Sequence, residues 1–262
     1  LNVFSSCSFL VPPTGNKEGC PVLGFSREEE KERNTFHPAS PAVNTAVKCD
    51  VYVPPPAVLP PGTNKNDVMI ILARIISRCD VCLLQEVRDI KGTAVPKLLQ
   101  TIGRYDTQNQ YDALASERLG RQKSYQEQYV FVFRTNTVTV TDQYQYPDNL
   151  PGDEDAFSRE PFVVRFRAQK TSIKEFVLIP QHTTPSNTTK ELDALYDVLQ
   201  QVRKMWKTEN VMLLGDFNAD CGYLAKKNRQ NVRLITDSSL YWLIPENSDT
   251  TVRLTTSCSY DR

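Results

Sequence analysis

The sequence is short of several things, and each shortage closes off a class of function. It has no net charge, because 31 Lys and Arg are matched by 31 Asp and Glu. A protein that holds nucleic acid by bulk electrostatics needs a basic excess, so that mode is disfavoured; brief phosphate contact through a few arginines is not. No apolar run is long enough to span a bilayer. No charged-then-apolar leader precedes a small-residue cleavage site, and the first residue is Leu1 rather than Met, which leads us to expect a processed chain or a fragment. Histidine is scarce. His37 lies in a Pro-rich stretch with the look of an exposed loop, so imidazole chemistry falls to His182. A second CxxC pair is missing, so Cys79-Asp80-Val81-Cys82 reads as two ordinary core thiols rather than half a zinc site. No internal repeat is visible.

What is present suits a globular enzyme. The 262 residues allow one sizeable domain or two small ones, and 40% hydrophobic with 24% charged residues is ordinary for such a chain. Residues 1–65 stand apart. They hold ten of the 17 prolines and the charged knot Arg27–Arg33, with no apolar periodicity, and read as loop or disorder. From residue 66 onwards the pattern is regular. Val68, Ile71, Leu72, Ile75 and Ile76 fall at helical spacing behind a cap at Asn66 or Asp67. A buried strand follows in DVCLLQEV, then a second helix in AVPKLLQTI. YVFVFR, TVTVTDQYQY, EPFVVRFRA and KEFVLIPQH read as strands, because aromatic and β-branched residues dominate them. Thr188–Lys207 predicts the strongest helix, capped by Ser186 or Thr188, and NVMLLGD returns as a strand. Strands without a regular βα alternation imply an α+β fold, a sandwich of sheets flanked by helices.

The polar residues fall at the ends of these strands. VCLLQE ends in Glu86, VMLLGD in Asp216 with Asn218 just beyond, and FVLIPQH in His182. A single acid at a strand end usually does no more than solvate it. Three such ends, each after an uninterrupted apolar run, point to one site on rigid mounts. Carboxylate and amide oxygens suit Mg²⁺, Mn²⁺ or Ca²⁺ rather than zinc, and an imidazole beside them can move a proton near neutral pH.

LLQEVRD, SYQEQYVFVFR, FSREPFVV, HTTP, LLGDFNADC and DTTVRLTTSCSYDR, in that order, resemble the deoxyribonuclease I family of the wider endonuclease/exonuclease/phosphatase superfamily, and the resemblance covers residues 66–262. It implies a four-layer α/β/β/α sandwich and a metal-dependent endonuclease acting on double-stranded DNA. Under it, Glu86, Asp216 and Asn218 hold Mg²⁺ or Mn²⁺ and the scissile phosphate. Glu127 orients His182, the acid/base, and Asp261 supports a second histidine. Arg88, Tyr125, Arg159 and Tyr260 contact the nucleic acid. Asp148, Asp155, Glu160 and a carbonyl near Phe157 form a structural Ca²⁺ site, and Cys221 pairs with Cys258. The resemblance also implies a secreted or endoplasmic-reticulum protein, with nuclear and membrane-anchored placements left open; Asn187-Thr188-Thr189 is a glycosylation sequon in that setting. A monomer is expected, with actin as a candidate protein partner.

The chain departs from the family pattern at both ends. The family's first strand ends in Phe-Asn, but the only Phe-Asn here is Phe217-Asn218. A closing Ser-Asp-His segment is also missing after Arg262, so the expectation is a C-terminally truncated domain, without the first and last strands and with little or no nuclease activity of its own. Gln181 stands where the family usually has an apolar residue. Three functions remain open: a DNA endonuclease, a phosphatase of the same superfamily acting on phosphoinositides, and a non-catalytic product that binds DNA, calcium or a protein.

Overall fold

The computed structural model describes residues 6–10, 65–251, 253 and 255–262, with side chains from 67 onwards. Two sheets lie face to face. The first has strand order β1 (Ser6–Leu10), β2 (Val81–Val87), β5 (Tyr125–Arg134) and β3 (Tyr111–Ala115), with β4 (Leu119–Gln122) also pairing with β5. The second has order β6 (Val138–Gln145), β7 (Phe162–Ala168), β8 (Glu175–Pro180) and β9 (Val211–Leu214). All pairings are antiparallel except β8 with β9, which run parallel across the crossover helix α3 (Thr188–Trp206).

Side-chain alternation along the strands divides the interior into three cores. On β2, Cys82 and Leu84 face the helices α1 (Lys65–Ile76) and α2 (Ala94–Tyr105), where they meet Leu72, Ile76, Leu98 and Ile102. Val81 and Leu83, one residue out of phase, face the other sheet and pack with Phe131, Phe166, Leu178 and Leu214. On β8, Val177 and Ile179 turn outwards against Leu192, Leu195, Leu199 and Val202 of α3. Three cores make four layers, α/β/β/α, as expected. The central core is aromatic, with Phe131 edge-on to Phe166 at 5.5 Å between ring centroids.

Several boundaries differ from the sequence reading. Helix α1 starts at Lys65, so Asn66 and Asp67 lie inside its first turn rather than capping it. Ile71, expected on the buried stripe, is 49% exposed. At α3 the cap position belongs to Asn187, and the fully buried Glu191 reaches back to accept the Thr184 N–H. Strands β3 and β4 were not expected. The reading of residues 1–65 as loop or disorder is corrected at Ser6–Leu10, which pairs with β2 from Ser6 opposite Gln85 to Leu10 opposite Val81. The rest of that segment up to residue 64, His37 included, lies outside the described residues.

Candidate metal and phosphate site

The two sheets come together at one end, and the polar residues meet there. Glu86 sits at a bulge: β2 and β5 lose register between Leu84 and Val87, and Glu86 has a positive φ of 55°. A bulge re-aims one side chain out of the strand's alternation, and a left-handed backbone at a non-glycine residue costs energy that packing must hold. His182 and Asp216 come from the ends of β8 and β9. Their segments stay in parallel register, since Gln181 N–H donates to the Leu214 carbonyl and Thr183 N–H to the Asp216 carbonyl, each at 3.0 Å. One ligand atom from each of Glu86, His182 and Asp216 lies within 4.8 Å of the others, the sole such group of three His, Cys, Asp or Glu among the described residues.

Nε2 of His182 faces Glu86 Oε1 and Asp216 Oδ2, both at 3.9 Å. Its Nδ1 is 3.0 Å from Glu127 Oε2, so Nδ1–H donates and Nε2 is left to exchange protons. Burial pulls the imidazole down, and the Glu127 hydrogen bond, with the charges of Asp216 and Glu127, outweighs it; the net position is above the ordinary histidine value even with Arg159 opposing. Burial pushes Glu127 up, and the hydrogen bond to His182 with the charges of His182, Arg159 and Arg88 holds it below the ordinary carboxylate value.

Asn218 is buried beside this group with φ 48°, a region that asparagine tolerates better than most residues. Its side-chain N–H donates to the Thr183 carbonyl at 3.0 Å, leaving Oδ1 as the ligand atom it can offer. Asp261 lies on the far side of β9. Residues 260–262 pair with 215–217 through Arg262 N–H to the Gly215 carbonyl and Phe217 N–H to the Tyr260 carbonyl, which sets Asp261 opposite Asp216. The disulfide Cys221–Cys258 fixes that return, with Cα atoms 5.9 Å apart. Tyr260 stacks obliquely on the half-exposed Tyr223 at 5.0 Å.

Arg88 and Tyr125 form a second element beside Glu86. The guanidinium lies 4.0 Å from the Tyr125 ring centroid, and Tyr125 is 44% exposed. The segment carrying Arg88 is anchored by Asp89, which accepts the Thr93 and Ala94 N–H groups and caps α2. The Arg159 guanidinium packs against the site's own backbone, with Nε donating to the His182 carbonyl, Nη2 to the Thr183 carbonyl, and Nη1 3.7 Å from Glu127.

In the acidic loop, residues assigned to the calcium site make hydrogen bonds within the protein. Asp148 spends an oxygen on the Phe157 N–H, and Arg121 donates to both the Asp155 carboxylate and the Phe157 carbonyl. The Arg121 guanidinium thus lies against two of the four residues assigned to that site. Burial pushes Asp148 and Glu160 above the ordinary carboxylate value, and neighbouring acids add to it. Asn187 is partly exposed at the start of α3, and its amide makes only a 3.5 Å contact with the Ala156 carbonyl.

Sequence reasoning missed Gln85 and Arg121. A glutamine inside an otherwise apolar buried strand was the visible signal for the first. Gln181, which stands where the family usually has an apolar residue, is fully buried and donates to the carbonyls of Arg159 and His182.

A model described as the endonuclease/exonuclease/phosphatase family matches residues 43–262. The chain belongs to that family. Its similarity to individual members of the endonuclease/exonuclease/phosphatase family is substantial. It is 47% identical over 198 residues to deoxyribonuclease gamma of Mus musculus, covering 75% of this chain and 64% of that protein. It is 44% identical over 198 residues to deoxyribonuclease-1-like 1 of Homo sapiens, covering 76% and 64%. It is 47% identical over 192 residues to deoxyribonuclease-1 of Canis lupus familiaris, covering 73% and 66%. The chain thus spans just under two thirds of the length of these curated relatives.

Proposed function

We propose that the protein is a divalent-metal-dependent endonuclease that hydrolyses phosphodiester bonds of DNA. The observation that carries this is the meeting of Glu86, His182 and Asp216 with Glu127 behind the imidazole. Two carboxylates that face each other without a Lys or Arg partner among the described residues fit Mg²⁺ or Mn²⁺, with Asn218 Oδ1 as a further oxygen. Such an ion neutralises phosphate charge in the developing transition state. The protein's own part is proton transfer and positioning. Glu127 fixes the tautomer of His182, so Nε2 would take the proton from the attacking water as the bond to the leaving oxygen breaks, and solvent water would protonate that oxygen to the alcohol. Arg88 and Tyr125 give a cation and an exposed ring for a sugar-phosphate strand, which positions a substrate without reading its sequence. The names of the relatives favour DNA over a phosphoinositide. The disulfide favours an oxidising compartment, where Asn187 would meet the glycosylation machinery.

The test compares supercoiled plasmid with a phosphoinositide, using the longest natural form of the protein and Mg²⁺ or Mn²⁺. Plasmid nicking that EDTA abolishes, and that His182→Ala lowers by ~10²–10⁴-fold, is the expected result. Phosphate release from the lipid with plasmid left intact would establish the phosphatase reading instead. Metal-dependent DNA binding without nicking would establish a non-catalytic one.

A further inference from the structure

We propose that Gln85 is the residue that holds the two sheets in register at the metal site, by serving as a rung in a ladder that belongs to the opposite sheet. This rests on the metal-site reading above. In a parallel pair the bonds alternate along the strands, and the sequence Gln181 N–H to Leu214 O, then Thr183 N–H to Asp216 O, leaves one rung between them: Asp216 N–H to Gln181 O. That rung is replaced. Asp216 N–H donates instead to Gln85 Oε1 at 3.0 Å, and Gln85 Nε2 donates to the Gln181 carbonyl at 3.1 Å. The inserted amide comes from β2 in the other sheet, and it is 1% exposed.

The connections all fall beside the site. Gln85 precedes Glu86, its donor grips the residue before His182, and its acceptor grips Asp216 itself. One planar amide therefore fixes the relative position of three side chains drawn from two sheets that share no backbone pairing. Gly215 shows how tightly the amide is seated. Its φ is 135°, and a Cβ there would lie 2.3 Å from the Gln181 carbonyl oxygen and 2.6 Å from Gln85 Nε2. A side chain at 215 would strike the Gln181 backbone carbonyl and the Gln85 amide together. Neither bond involves a metal ligand's side chain, so Gln85 is a positioning residue rather than a catalytic one.

A purely structural role predicts lost stability with an unchanged site, and metal affinity separates the two. Mn²⁺ binding by calorimetry is compared for the full chain, Gln85→Met, Gly215→Ala, and Ile102→Val as a control in the α2 core away from the site, with the thermal midpoint of each. We expect Gln85→Met to weaken Mn²⁺ at least ten-fold, while Ile102→Val lowers the midpoint and leaves affinity unchanged. Gly215→Ala should act in the same direction, since its Cβ would strike both the Gln181 carbonyl and the Gln85 amide, and Gln85→Leu is the deciding variant if Gln85→Met does not fold. Binding within two-fold of the parent in a folded Gln85 variant overturns the proposal. Failure of the parent to bind Mn²⁺ more tightly than Glu86→Gln does would sink the metal-site reading, and this one with it; parent binding that Glu86→Gln abolishes and Gln85→Met preserves would sink this one alone.

Discussion

Two acidic regions of the molecule have met opposite fates. At the strand ends, Glu86 and Asp216 face each other and an imidazole, with no Lys or Arg in ion-pair range among the described residues. In the loop between β6 and β7, Asp155 is held by Arg121, which also takes the Phe157 carbonyl, while Asp148 turns back on its own loop. Both regions would have passed for metal sites on composition alone. Charge left uncompensated on rigid mounts is the stronger candidate for a cation site, because an external cation then gains what no internal one has already supplied.

The sharpest way to break that comparison is to neutralise one acid in each region. Glu86→Gln or Asp216→Asn should lower plasmid nicking by ~10²-fold or more, since each removes a charged oxygen from the proposed Mg²⁺ or Mn²⁺ ligands. Asp155→Asn should leave nicking within about two-fold. Equal losses from the two regions, measured under one set of metal concentrations, would show that the loop belongs to the reaction after all.

A smaller effect is expected from freeing the loop. Arg121 and Asp155 are largely exposed, at 49% and 69%, so deleting the guanidinium in Arg121→Ala should cost only ~0.2–1 kcal/mol. The informative reading is calcium. With Arg121 gone, the Asp155 carboxylate and Phe157 carbonyl are open to a cation, and Ca²⁺ should raise the thermal midpoint of Arg121→Ala more than that of the parent. If Ca²⁺ stabilises the parent as strongly as the variant, Arg121 is no substitute for the ion.

The sequence shows the site better than it shows its supports, and the reason is physical. Glu86, His182 and Asp216 end apolar runs, and an apolar run declares a buried strand whatever lies around it. The three cores follow equally well from alternation along β2 and β8. What escapes is anything decided by backbone detail or by distant partners. The bulge that turns Glu86 has no marker in LLQEV. The resemblance assigns Arg159 to the nucleic acid, and only the fold shows its guanidinium donating to the carbonyls of His182 and Thr183. Strand β1 hides in a segment whose prolines mask five residues that pair with β2. Gln85 lies 96 residues from the carbonyl it binds and 131 from the amide, beyond the reach of any local pattern.

The gentlest probe of the comparison is pH, since the two regions should respond with opposite sign in EDTA-treated protein. Glu127 sits below the ordinary carboxylate value, so its contribution is present above the unfolded value and is lost as pH falls through the folded one. His182 sits above the ordinary imidazole value, so its contribution is present below the unfolded value and is lost as pH rises through the folded one. Both are in full effect between the unfolded values, about pH 4.3 and 6.5. Asp148 and Glu160 are raised, mainly by burial, so they oppose folding increasingly as pH climbs from their unfolded to their folded values. Glu127→Gln should therefore lower the thermal midpoint most within the pH 4.3–6.5 window. Asp148→Asn, which keeps an oxygen for the Phe157 N–H, should raise it towards neutral pH. Midpoints followed by circular dichroism from pH 4 to 8 decide it: if both variants move the profile the same way, the loop acids are held as Glu127 is, and the contrast between the two regions fails.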